Sequence, residues 1–323
     1  MSPAPADGSE LAARLARGDL SAAAAVLNLV ETRTPAAREQ TAALLASVSP
    51  MALHGEAPAH VVGITGPPGV GKSSLLSRLV ASWRALGRSV AVLAVDPTSR
   101  RSGGALLGDR ARIEVDPADR SVFIRSTAAG DRLGGLAPAT RAAASALAAA
   151  FDVVVIETVG VGQSETEVAD LADTVAVVVQ PGSGDVLQFL KAGIMEVPDV
   201  LVVTKADLGQ IVKRSQSDLR SALASLGAGG VEVVAVSSVS PPAGIDELVQ
   251  ALDRHRAGLD LSARRLRARR MHALADFVTE YGERGLRALG GRRDAEKWLS
   301  DQDPGLDVAA LGRLLSEHAG RSE

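Results

Sequence analysis

Hydrophobic positions along the chain change rhythm twice. Residues 1–55 carry Ala/Leu-rich helical periodicity, with Ser21 as a candidate N-cap and Thr34-Pro35 as a cap followed by a first helical position. From His60 to Arg256 short apolar runs alternate with helical stretches. The runs predict strands at Val61–Ile64, Val90–Val95, Val122–Ile124, Val153–Ile156, Val175–Val179, Val200–Val203 and Val231–Val236. Several are apolar at every position, as expected of strands covered on both faces of a parallel sheet. Helices between them imply crossover connections, and hence an α/β domain with a doubly wound, mostly parallel sheet. After residue 257 the helical pattern returns, with Ser262 as a candidate cap. Leu266, Leu274, Val278, Tyr281 and Leu289 form one stripe until Gly290 and Gly291 break it. Short helices are expected at Asp294–Leu299 and Val308–His318. The chain is therefore expected to divide into a helical extension (1–55), an α/β domain (56–257) and a helical C-terminal region (258–323).

Composition narrows the chemistry. Apolar residues make up 46% of the 323 but aromatics only 2%, so the core must be built from Ala, Val and Leu. A net charge of -3 argues against a general electrostatic grip on nucleic acid. With no cysteine there are no disulfides, thiolate metal sites or cysteine nucleophiles. The N-terminus has no basic-then-apolar leader, and no apolar run approaches the ~18 residues of a membrane span, so a cytoplasmic protein free of the membrane is expected. Lysine is scarce beside arginine, occurring only at 72, 191, 205, 213 and 297. Two of these fall in the motifs that follow.

Gly66-Pro-Pro-Gly69-Val70-Gly71-Lys72-Ser73 has the form G-x-x-x-x-G-K-[ST] between a predicted strand and a predicted helix. Glycines let backbone N–H groups converge on phosphate oxygens, and the helix N-terminus adds positive potential. Lys72 is placed to reach β- and γ-phosphates and Ser73 to ligate Mg²⁺, with Ser74 beside it. Two predicted strands end in carboxylates. Asp96 and Glu157 are candidates for the metal edge, or alternatively a turn-capping Asp and an ordinary strand-end charge. The glycine-bearing stretch after Glu157 suits a segment that responds to a γ-phosphate. Thr204-Lys205-Ala206-Asp207 follows another strand and has the pattern of a guanine reader. A carboxylate accepts from guanine N1–H and N2–H₂ together, a donor pair adenine lacks, while the lysine stem packs on the base. Ser237-Ser238 at the last strand end would complete that pocket.

Taken together, GITGPPGVGKSSL, VAVLAVDPTS, GGALLGDRAR, ETVGVGQSE, PGSGDVLQFLKAGI and TKAD resemble the MeaB/ArgK family of SIMIBI-class P-loop GTPases over about residues 60–210. The resemblance implies Mg²⁺ as cofactor and GTP or GDP as bound nucleotide. It further implies a G-protein chaperone of an adenosylcobalamin-dependent acyl-CoA mutase, typically methylmalonyl-CoA mutase, that gates cofactor loading and protects the mutase. By motif position it casts Asp96, Asp109 and Glu157 as metal-shell and catalytic carboxylates alongside Lys72. It adds Gln188 and Lys191 as nucleotide- and partner-contacting residues, which could otherwise be a solvated helix start. Family members are typically homodimers through C-terminal helices. Arg100-Arg101 and the stretch Ser126–Gly135 depart from the mutase-chaperone core group and leave the particular mutase open.

Other readings stay open on sequence alone. A metallochaperone GTPase would usually carry Cys or His clusters, whereas the five histidines here are scattered and Cys is absent. A small-molecule kinase could use the same phosphate loop but would not need the TKAD sequence. The arginines at 264, 265, 267, 269 and 270 read as a solvated helix face or as a dock for an acidic partner.

Overall fold

The computed structural model describes residues 6–96, 113–128, 136–158, 164–182 and 198–320, except the side chains of Asp96, Ala128 and residues 164–166. In chain order, helices α1 (Gly8–Ala16), α2 (Ala23–Glu31), α3 (Pro35–Ser47) and the one-turn α4 (Pro50–Leu53) come first. There follow β1 (His60–Thr65), α5 (Lys72–Ala85), β2 (Val90–Asp96), β3 (Val122–Ala128), α6 (Pro138–Leu147), β4 (Val153–Thr158), α7 (Ser164–Leu171), β5 (Thr174–Val179), β6 (Val200–Val203), α8 (Gln210–Ser225), β7 (Glu232–Ala235) and α9 (Ile245–Ala257). Helices α10 (Leu261–Ala288), α11 (Arg292–Ser300) and α12 (Val308–Gly320) close the described chain. These elements form two compact units, Met1–Pro58 with Asp260–Glu323, and Ala59–Leu259.

The larger unit is a seven-stranded sheet in the order β3-β2-β4-β1-β5-β6-β7. Every pairing between its described strands is parallel. All seven predicted strands are present. Strands β1, β4, β5 and β6 are buried at every position, which is why their sequences read as unbroken apolar runs. Alternate residues serve opposite faces. Val62, Ile64 and Val155 pack with Leu75, Leu79 and Trp83 of α5 and with Leu248 and Leu252 of α9. On the other face α7 approaches so closely that a Cβ on Gly63 would lie 2.9 Å from Val168 Cγ2 and 3.3 Å from the Ala172 methyl. Glycine at the centre of β1 therefore sets how near that helix can pack.

In the helical unit, Thr34 caps α3 as expected, its Oγ1 accepting from Ala37 N at 3.2 Å. Ser21 is not a cap: it lies within a 3₁₀ turn, where its own N–H donates to Asp19 Oδ1. Nor is Ser262, since Asp260 accepts from Ala263 N at 3.0 Å and α10 begins at Leu261. A carboxylate is an acceptor-only group attracted to the helix N-terminus, so it outcompetes the neighbouring hydroxyl. The predicted stripe on α10 is interrupted at Gly282, with φ 63° and ψ -162°. Leu274 and Leu289 are buried with Leu311 and Leu315 of α12, whereas Tyr281 is 45% exposed.

The arginine run of α10 is tied inward. Arg265 donates to Ala57 O at 2.6 Å, Arg269 pairs with both Glu56 oxygens at 2.9 and 3.0 Å, and Arg270 donates to Ser300 O at 2.9 Å. The planar guanidinium fork suits this cross-linking of backbone carbonyls and a carboxylate. Three of the five arginines thus pin the segment after α4 and the α11–α12 connection, a role that neither a solvated face nor a docking patch describes.

Candidate functional site

The described residues among those singled out from sequence lie at the carboxyl edge of the sheet, where ligands of doubly wound folds bind. The turn after β1 presses against β5. A Cβ on Gly66, whose φ is 142°, would lie 2.1 Å from Val178 O, so only glycine allows the loop to pass. Gly69 and Gly71 also have positive φ, and Gly71 forms the N-cap of α5. Val70 is buried beneath the loop, Ser73 is half-buried at the first turn of α5, and Ser74 is exposed. Lys72 is 7% exposed, and its amine turns back into the loop to donate to Gly66 O at 2.6 Å and Pro67 O at 3.0 Å. The ammonium is thereby held by two backbone carbonyl oxygens of the loop, beside the N-terminus of α5.

Strands β2, β4 and β1 are neighbours, and Asp96 ends β2 while Glu157 stands next to last in β4. Glu157 stands opposite Ile64 of β1 and Ala94 of β2 in register and is 2% exposed. One residue on, Thr158 donates to Thr65 Oγ1 at 2.9 Å and stitches β4 to the strand leading into the loop. Asp96 ends β2, paired in register with Ala128, but its side chain is outside the described residues. So are Asp109, Gln188 and Lys191.

On the other side of the loop, β5, β6 and β7 deliver the second group. Thr204 is 5% exposed, with its hydroxyl 2.8 Å from Val70 O and 3.2 Å from Val179 O. One side chain thus joins the phosphate-type loop, β5 and β6. Lys205 takes a left-handed conformation, φ 58°, and extends its amine to Gln180 Oε1 at 2.7 Å. Asp207 is exposed at the edge, and Ser237 Oγ donates to its Oδ1 at 2.8 Å. Ser237 also accepts from Val239 N at 3.3 Å, so its hydroxyl is oriented toward the carboxylate.

Two participants were missed from sequence. Gln180 follows the valine run of β5 and is the partner of Lys205. Arg78 of α5 donates from Nε to Ser238 O at 3.1 Å, anchoring the last loop to the helix that starts at Lys72. A polar residue ending a buried strand was the available signal for Gln180. Nothing local marked Arg78, whose partner is 160 residues away.

A glycine loop opening onto a helix at one strand end, with carboxylates and a TKAD turn at neighbouring ends, defines a doubly wound P-loop domain, the class that includes the GTPases. Residues 23–286 match the family described as methylmalonyl Co-A mutase-associated GTPase MeaB, and the chain belongs to that family. Among its relatives, a Pyrococcus abyssi protein designated a GTPase is 47% identical over 199 residues, 61% of this chain and 59% of that protein. The mitochondrial methylmalonic aciduria type A homolog of Caenorhabditis elegans is 41% identical over 226 residues, 65% of this chain and 55% of that protein. The chain thus spans less than two thirds of the length of these relatives. Across the whole chain it resembles the crystal structure of an LAO/AO transport system kinase, with 29% identity, TM-score 0.65 and 96% of each chain covered.

Proposed function

We propose that the chain binds GTP and GDP with Mg²⁺ at this edge and hydrolyses GTP. The observation that carries the reading is the 2.8 Å contact of Thr204 with Val70 O. It fixes the TKAD turn to the phosphate-type loop, as a site spanning one nucleotide from base to triphosphate requires. Asp207, oriented by Ser237, would accept from guanine N1–H and N2–H₂. The loop amides and Lys72 would hold the phosphates. The hydroxyl of Ser73 and the carboxylates of Asp96 and Glu157 would supply hard oxygen donors of the kind Mg²⁺ takes, and the ion's charge would offset that of the phosphates. Asp109, Gln188 and Lys191 belong to the same reading through family resemblance. Catalysis would consist mainly of positioning and electrostatic stabilisation of the transferred phosphoryl group.

The family description further supports a partner: an adenosylcobalamin-dependent acyl-CoA mutase, methylmalonyl-CoA mutase or a close relative, whose cofactor loading and protection GTP would gate. A homodimer through the helical unit is part of the same proposal. The test is affinity capture of such a mutase by the tagged chain with GTP, with GDP and without nucleotide, alongside phosphate release from GTP and ATP. Nucleotide-dependent capture with GTP-selective turnover is expected. Turnover of ATP with transfer to a small acceptor would instead favour a kinase, the activity for which the similar crystal structure is named.

A further inference from the structure

We infer that Gln180 is a positioning residue for the base-reading lysine, a role that rests on the guanine-site reading above. Lys205 is exposed and carries a long flexible stem, so in isolation its amine would sample many rotamers. Here its backbone is fixed in the left-handed region. Its main-chain neighbours are tied down as well: Thr204 N donates to Val179 O at 2.9 Å and Ala206 N to Val236 O at 3.0 Å. The remaining freedom lies in the side chain, and Gln180 Oε1 removes it by accepting from Nζ at 2.7 Å. Gln180 directly follows β5, whose Val178 carbonyl abuts Gly66 and whose Val179 carbonyl meets Thr204. The acceptor therefore stands on the strand that already fixes both halves of the site. A lysine stem tethered at its tip offers its methylenes as an apolar surface for a purine to lie on, and part of the ordering precedes the base's arrival.

The test is a double-mutant cycle on the full chain, using fluorescent GDP and inorganic tripolyphosphate as probes. Gln180→Ala should raise the GDP dissociation constant about three- to tenfold, the range of one ordinary hydrogen bond of about 0.5–1.5 kcal/mol, as suits a solvent-exposed pair. It should leave tripolyphosphate binding unchanged, because that probe has no base. Gln180→Glu, which keeps the acceptor, should restore GDP affinity. In a Lys205→Ala background Gln180→Ala should have no further effect. A loss on Gln180→Ala that persists without Lys205, or that tripolyphosphate shares, would overturn the positioning role. If Lys205→Ala itself left GDP binding intact, the base-site reading rather than the role of Gln180 would be at fault.

Discussion

Acidification should destabilise the sheet through one histidine. His60 opens β1 and is 2% exposed, with Nε2 2.8 Å from Thr174 Oγ1. That hydroxyl lies 2.9 Å from His255 Nδ1, and His255 Nε2 lies 3.1 Å from Asp199 Oδ1. Burial lowers the His60 pKa from 6.5 to about 4; Asp173 and Asp253 oppose the shift while Arg256 and His255 add to it. The folded chain thus resists a proton that the unfolded chain accepts, so stability rises with pH between about 4 and 6.5 and is lost as pH falls through that window. Integrated from pH 7 to pH 5 the loss is about 2 kcal/mol, growing to about 3 kcal/mol below pH 4. The assay is urea unfolding at both pH values, followed by the fluorescence of buried Trp83 in a Trp298→Phe background. His60→Gln stays neutral throughout, so its stability should fall by about 2 kcal/mol less than that of the parent. Carboxylates shared by both proteins cancel in the difference. Equal losses would refute the assignment of this pH dependence to His60.

Three further outcomes follow from the site. Lys72→Ala should weaken GTP binding about a hundredfold or more, equivalent to ~3 kcal/mol of lost charge-assisted contacts, read by calorimetry; normal binding would remove the phosphate assignment. Gly66→Ala forces a methyl into Val178 O and should lower stability by about 2–4 kcal/mol in a denaturant melt, whereas an unchanged midpoint would contradict the close approach described. Ser237→Ala frees the Asp207 carboxylate to rotate and should weaken GDP binding about three- to tenfold in fluorescence titration while leaving tripolyphosphate binding alone.

The fold was largely legible because parallel strands buried on both faces leave a direct trace, unbroken runs such as Val153–Ile156. The loop residues were legible because phosphate chemistry demands glycine, lysine and a hydroxyl in a fixed order. Caps were harder. Asp19 and Asp260 each stand close to a plausible serine, and only geometry decides which oxygen meets the orphan amide. The kink at Gly282 was hidden because glycine within a helical pattern is usually tolerated. Arg269 on Glu56, Arg78 on Ser238 and Gln180 under Lys205 join residues distant in sequence and carry no local periodicity, so pattern reading had no access to them.

The most direct test of a guanine nucleotide held between Lys72 and Asp207 is competition for bound fluorescent GDP by GTP, ATP and xanthosine triphosphate. In the parent chain GTP should compete at concentrations about a hundredfold below ATP, since losing hydrogen bonding to an ionised carboxylate costs about 1.5–3 kcal/mol. Asp207→Asn replaces an acceptor by a donor facing the purine 2-position and should shift preference from GTP toward xanthosine triphosphate. ATP competing as well as GTP in the parent, or an unchanged preference in Asp207→Asn, would contradict it.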